Sequence, residues 1–197
     1  MSAAGSSFDV CIVGAGAAGM IAALGLLRKG HSVAVVEKNS DFAREFRGEV
    51  LQPRFWRAVE SAGLVEIIRS FEHEEFDKMH FYSGEKLATK FDVASISPRY
   101  PFLTWMTQPI LLNGLLQECQ KFEKFKMLFN VNVKKLLREG GRVCGIEIET
   151  SESKQTIRAK ITVGSDGRFS KMRALGGFKL LRHEHHFDVL WFVSRPR

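Results

Sequence analysis

The sequence predicts an α/β fold with a central parallel sheet, a small antiparallel meander and part of a second β-rich lobe. Three observations carry this reading. Phe8–Lys38 runs strand, glycine turn, helix, strand and acid within about thirty residues. Residues 126–163 hold short apolar runs separated by turn residues, the pattern of a meander. Between them, residues 76–91 read as two strands joined at Ser83-Gly84.

The first stretch is the most informative. Phe8–Val13 is a short apolar run with β-branched residues. Gly14, Gly16 and Gly19 follow as G-x-G-x-x-G, Met20–Leu27 has an apolar helix pattern, and Ser32–Val36 is a second apolar run closed by Glu37. This order is Rossmann-like, and each part has a physical reason. Gly14 permits a tight turn off the strand, Gly16 lets a pyrophosphate approach a backbone that has no Cβ, and Gly19 lets the helix lie close to the sheet. The first-turn N–H groups and the helix dipole favour phosphate charge. Glu37 follows Gly14 by 23 residues. There its carboxylate can accept hydrogen bonds from a ribose and would repel a 2′-phosphate.

The remaining elements follow in order. Met1–Ser7 is a small, polar leader, and Asn39–Arg47 is a loop or short helix. Pro53 suits the first turn of a helix, with Phe55, Val59, Leu64 and Ile67–Ile68 as apolar positions interrupted near Gly63. The 76–91 hairpin and the loop Val93–Pro101 read as an excursion from the nucleotide fold. Gln108-Pro109 opens a helix whose apolar positions are Ile110, Leu111, Leu112, Leu115, Leu116 and Cys119. Lys126–Val133 reads as a strand interrupted at Asn130, with Val133–Leu137 as its continuation. Arg142–Glu149 and Thr156–Val163 complete the meander, and its last strand returns to the parallel sheet. Ser170 is positioned to cap a helix beginning near Lys171. Val189–Ser194 reads as a final strand, either pairing with the 76–91 hairpin or belonging to a longer protein. The expected domains are 1–75, the excursion 76–104, a second segment 105–182, and the start of a substrate-lobe strand over 183–197.

Composition limits the alternatives. The 197 residues are 45% hydrophobic, enough for a real core. The net charge of +7 arises from 29 Lys plus Arg against 22 Asp plus Glu. These charges are interspersed, with no dense basic block to mark a nucleic-acid surface. Cys11, Cys119 and Cys144 form no C-x-x-C, which suits a reducing compartment. No run resembles a membrane span or a secretory leader, so the expected location is the cytoplasm. His183-Glu184-His185-His186 contains suitable metal ligands, but adjacent residues seldom converge on one ion, and a polar loop is the preferred reading. Arg99-Tyr100-Pro101-Phe102 and Trp105 suit a pocket border and lobe packing equally.

Three segments carry a resemblance to a known family. They are Gly14–Gly19 with Glu37, Arg47-Gly48-Glu49-Val50-Leu51 followed by Gln108-Pro109-Ile110-Leu111, and Gly164-Ser165-Asp166-Gly167-Arg168-Phe169-Ser170. Together the sequence resembles the FAD-dependent oxidoreductases of the aromatic-hydroxylase class, the single-component flavin monooxygenases. The third segment is similar to that family's DG motif. The resemblance implies a Rossmann-like FAD-binding fold, and Gly14, Gly16, Ala17, Ala18 and Gly19 at the FAD pyrophosphate. It implies Glu37, with Lys38 beside it, at the adenosine ribose, and Arg47 near the phosphates or ribityl chain. Gln108, where the family commonly has arginine, would hydrogen-bond the cofactor. Val133 would offer backbone to the adenine, and Asp166 with Gly167 would lie by the pyrophosphate and ribityl region. Arg168 begins a stretch that the family uses to position both nucleotides.

The resemblance further implies an NAD(P)H-dependent monooxygenase or hydroxylase of a small organic, aromatic substrate, with no metal and no protein nucleophile. Family members are longer and carry a later Gly-Asp motif, which does not occur after Asp166 here. The expectation is therefore an N-terminal half or a shortened relative, with a homodimer as one way to rebuild the lost surface. The competing expectation is a nucleotide-binding protein without independent turnover, acting as a partner or scaffold.

Overall fold

The structure, a computed structural model, describes residues 7–43, 50–150, 153–183 and 190. The chain forms two compact units, dividing after Ala43 and again within the helix that follows Thr107. Arg47, Glu184, His185, His186 and, apart from Leu190, the expected final strand lie outside the described residues.

The first unit is built on a six-stranded sheet. Its strands are β1 (Ser7–Val13), β2 (Val33–Val36), β8 (Phe125–Leu128), β9 (Asn132–Glu139), β10 (Arg142–Glu149) and β11 (Lys154–Gly164), ordered β8-β2-β1-β11-β10-β9. β1 pairs in parallel with both β2 and β11, and β2 pairs in parallel with β8. β9, β10 and the first half of β11 form the antiparallel meander. Every residue of β2 is buried, as expected for a parallel strand covered on both faces. Helix α1 (Ala17–Arg28) buries Met20, Ala23, Leu24 and Leu27. A second core joins Cys11, Val13, Ala34 and Val36 to Val133, Ile146, Ile148, Ile157 and Met172. Burial raises the Cys11 and Cys119 thiols to about 12, so both act as small apolar groups.

One sequence expectation divides here. Lys126–Val133 is not one strand of the meander: Phe125–Leu128 belongs to the parallel sheet, and the meander starts at Asn132. Asn130 adopts φ +57°, and the N–H groups of Asn130 and Val131 donate to the carbonyls of Asn39 and Glu37. That left-handed residue breaks the strand and redirects the chain, a conformation asparagine tolerates better than most residues.

A glycine shapes the meander as well. The β9–β10 register shifts between Val143 and Gly145. Gly145 has φ +144°, and a Cβ there would sit 2.1 Å from the Ile157 carbonyl oxygen. Only glycine allows this close approach, and the pairing of β10 with β11 begins at this residue.

The second unit contains β3 (Val50–Leu51), α2 (Pro53–Ser61), α3 (Val65–Arg69), β4 (Glu74–Phe76), β5 (Lys78–Ser83), β6 (Lys86–Asp92) and β7 (Leu103–Trp105). The chain then enters α4 (Gln108–Gln120). Pro53 occupies the first turn of α2, where its missing N–H costs nothing. β5 and β6 form the expected hairpin, with Gly84 at φ +59° in a two-residue loop. Sheet β3-β7-β4 was not evident from the sequence, because its strands are two or three residues long and far apart in the chain. Buried Trp56 donates its indole N–H to Thr104 Oγ1 at 3.0 Å and packs with Tyr100 and Phe102. No described helix is long and apolar enough to cross a membrane.

Two stability experiments follow from this fold. Gly145→Ala should destabilise the chain by about 2 kcal/mol or more in urea unfolding, and a loss below about 0.5 kcal/mol would contradict the bulge. Asp9 accepts from Lys160 Nζ and from the backbone and hydroxyl of Ser32. The Lys160 bond, reinforced by those from Ser32, holds its carboxyl well below the usual range. A depressed carboxylate contributes stability above its unfolded pKa and loses that contribution as pH falls through the folded value. The Tm gap between wild type and Asp9→Asn should therefore be constant down to about pH 4 and narrow below it. A gap that widens on acidification would contradict this linkage.

Candidate functional site

The site is the turn between β1 and α1, at the carboxyl ends of the parallel strands, where open α/β sheets place ligands. Gly14 donates its N–H to the Val36 carbonyl at 2.8 Å, tying the turn to β2. Its φ is +102°, and a Cβ there would lie 2.4 Å from the Ser165 carbonyl oxygen and 2.8 Å from Asp166 Cα. Ser165 in turn donates its N–H to the Val13 carbonyl at 2.7 Å. The turns after β1 and β11 thus meet backbone to backbone. Gly14 serves the tight turn expected from the sequence, and it also admits the second turn.

Gly19 has a similar role. A Cβ there would sit 2.1 Å from the Gly14 carbonyl oxygen and 3.3 Å from Ser165 Oγ. It lets the first turn of α1 close against the glycine loop itself. Gly16 differs from both. It has φ −74°, and a Cβ there would meet nothing within 4 Å. Protein packing and backbone strain therefore do not require glycine at this position. No side chain caps α1, and no acid occupies its first turn, which begins with Ala17 and Ala18. Three features suit the diphosphate of a dinucleotide: an open approach, helix N–H groups and a positive dipole end. The residues present fit that group.

Glu37 is 5% exposed. Its Oε2 accepts from the Ala15 N–H at 2.9 Å, and its Oε1 accepts from the Asn39 N–H at 3.1 Å. The acid therefore braces the glycine loop from the end of β2. The sequence suggests only a ribose partner, because Ala15 and Glu37 are distant in the chain and a backbone donor leaves no side-chain signal. Lys38, next to it, is exposed.

The DG segment is held by its own helix, α5 (Lys171–Leu175). Ser170 Oγ accepts from the Arg173 N–H at 2.9 Å, the N-cap expected from the sequence. Asp166 accepts from the Ser170 hydroxyl and from the Met172 N–H at 2.9 Å. Burial pushes the Asp166 carboxyl up, but the Ser170 hydroxyl and Met172 N–H bonds outweigh it and hold the group below its ordinary value. Gly167 has φ +78°, so its backbone alone favours glycine. Ser165 carries the contact with Gly14 through backbone atoms, which is why side-chain chemistry did not single it out.

Two further expected residues have these positions. Val133 lies on edge strand β9, paired with Ile148, with its side chain buried in the core. Gln108 is half-buried at the start of α4, in the second unit. Among the described residues, no cluster of three or more His, Cys, Asp or Glu could hold a metal ion.

Comparison with known proteins agrees with this geometry. Residues 7–194 match the family described as FAD binding domain. The chain is 34% identical over 188 residues to 6-methylpretetramide 4-monooxygenase of Streptomyces rimosus, covering 95% of this chain and 45% of that one. It is 30% identical over 178 residues to a 3-(3-hydroxy-phenyl)propionate/3-hydroxycinnamic acid hydroxylase of Paraburkholderia xenovorans, covering 86% and 27%. Among solved structures, it matches Pseudomonas aeruginosa PqsL in complex with 2-aminobenzoylacetate at TM-score 0.76 and 25% identity, covering 91% and 48%. It matches p-nitrophenol 4-monooxygenase PnpA of Pseudomonas putida DLL-E4 at TM-score 0.78 and 24% identity, covering 87% and 44%. The chain thus spans less than half the length of these relatives.

The glycines should separate in a folding assay. Gly14→Ala should cost about 3 kcal/mol or more, because a Cβ collides with Ser165 and the φ is left-handed. Gly16→Ala should change stability by no more than about 1 kcal/mol. Equal losses in the two variants would contradict their different roles.

Proposed function

The chain belongs to the FAD-binding domain family of the single-component flavin monooxygenases, and on that premise we propose that it binds FAD at the β1–α1 turn. Gly16 carries the proposal, since it is a glycine that neither packing nor backbone conformation explains. A diphosphate seated there would accept from the first-turn N–H groups of α1. Glu37 would keep the loop in shape through Ala15 and accept from the adenosine ribose. Its negative charge disfavours a 2′-phosphate, which suits the unphosphorylated adenosine of FAD. Lys38, Arg47, Gln108, Val133, Asp166 and Gly167 are proposed as the remaining contacts, on the family resemblance.

The proposed activity is an NAD(P)H-dependent hydroxylation of a small aromatic substrate, as a whole or as the cofactor-binding part of a larger assembly. Bound FAD would supply the redox chemistry, accepting reducing equivalents from the nicotinamide and activating dioxygen. The chain's own share is to bind the adenosine and diphosphate, fix their position and keep the loop rigid. A second reading is supported by the 45% coverage of the Streptomyces relative: alone, the chain binds nucleotide without turnover. Hydroxylation needs a pocket that excludes water, and a relative more than twice as long has more surface with which to build one.

Purification tests both readings. FAD should bind with one-to-one stoichiometry and give a flavin absorbance spectrum. Gly16→Val should weaken that binding by at least about tenfold while the variant remains folded. Tight ADP or NAD binding without flavin would overturn the FAD assignment. NAD(P)H-dependent bleaching of the flavin under anaerobic conditions would favour the active reading, and a stable oxidised spectrum the second.

A further inference from the structure

The second unit holds an aromatic cluster in which an indole and a phenol lie against each other. Trp56 on α2 is fully buried, and its ring centroid is 6.3 Å from that of Tyr100, at an interplanar angle of 29°. Phe55 and Phe102 pack edge-on around the pair. The Trp56 indole N–H is held by Thr104 Oγ1 on β7. The next residue of that strand, Trp105, is 37% exposed. At the other end, Tyr100 borders an open surface cavity of about 580 Å³ together with Glu60, Arg69 and Arg99. Its hydroxyl donates to the Glu60 carboxylate, which Arg99 also grips through Nε and a terminal nitrogen.

Packing explains why rings fill this corner. It does not explain the phenol, because a phenylalanine at position 100 would fill the same space without the bond to Glu60. Among ring side chains, indole and phenol give up one electron far more readily than a phenyl group. A phenol that has lost an electron is a strong acid, so a carboxylate within hydrogen-bond reach takes its proton. Glu60 is ready for that role, since the hydrogen bonds from Arg99 hold its carboxyl below the ordinary range and keep it ionised. We propose that Trp56 and Tyr100 form a relay that carries one-electron oxidising equivalents from the interior of this unit to its surface.

Each step balances. An oxygen-centred radical takes one electron from an indole and leaves as its anion. Where exposed Trp105 is struck first, an electron from Trp56 refills it. Tyr100 then gives one electron to the Trp56 radical cation, and its phenolic proton passes to Glu60. The indole is restored, and a neutral phenoxyl radical remains beside the cavity. A soluble thiolate there supplies one electron and becomes a thiyl radical, while Glu60 returns the proton. The relay lies within the second unit, goes beyond the flavin site and does not rest on FAD binding.

The test is pulse radiolysis of the full chain. It has three tryptophans and two tyrosines, so Trp191→Phe with Tyr82→Phe leaves Trp56, Trp105 and Tyr100 as the oxidisable rings. Azide radicals, which oxidise indoles, are generated in a solution of this double variant. The expected result is an indolyl absorbance that decays as a phenoxyl absorbance grows, at a rate independent of protein concentration. Adding Tyr100→Phe, which removes only a hydroxyl, should abolish the phenoxyl signal and lengthen the indolyl lifetime at least tenfold. Adding Trp56→Phe or Glu60→Gln should slow the transfer at least tenfold, with folding checked by circular dichroism. Three outcomes would overturn the proposal: no phenoxyl growth in the double variant, growth whose rate rises with protein concentration, or an unchanged rate with Trp56→Phe or Glu60→Gln.

Discussion

The first unit depends on one close approach: the peptide of Ser165 lying against Gly14. It joins the turn after β1 to the turn after β11, and the Ser165 N–H to Val13 bond fixes it. Each side is secured independently. Glu37 holds the first turn through Ala15, and Asp166 holds the second through Ser170 and Met172. A side chain at Gly14 would separate the two turns, and one at Gly19 would push α1 off the loop. The loop is therefore preorganised by backbone contacts and two carboxylates, and a ligand arriving there need not order it.

This arrangement divides the glycine motif into two kinds of residue. Gly14 and Gly19 are needed by the protein whether or not a nucleotide is present. Gly16 has no such need, and it is the position at which the proposed diphosphate would sit. Glu37 is needed by the protein as well, since it braces the loop through Ala15 and Asn39. Its burial beside a backbone N–H explains why an acid can sit at the end of a parallel strand. The N–H bonds replace water around the carboxylate.

Much of this was legible in the chain. The strand–glycine–helix–strand order of Phe8–Lys38, the helix start at Pro53, the Gly84 hairpin and the Ser170 cap all rest on local rules. Spacing, fixed φ and capping chemistry act within a few residues, so one sequence displays them. The division of residues 126–133 was not legible, because Asn130 breaks the strand and the two pieces find partners in different parts of the sheet. The β3-β7-β4 sheet escaped for a related reason: strands of two or three residues carry no periodicity.

The sequence by itself determined the class of the fold, the nucleotide-type turn, the family resemblance and most of the candidate residues. Those follow from glycine's freedom, apolar periodicity and the charge of one acid. Only the tertiary structure decided what these residues do for each other. It placed Ser165 on Gly14, Glu37 on Ala15, Asp166 on the start of α5 and Gly145 against the Ile157 carbonyl. Each of these is a contact between segments distant in the chain, several through backbone atoms that every residue shares. Such contacts leave no mark in residue types and appear only when the strands are brought into register.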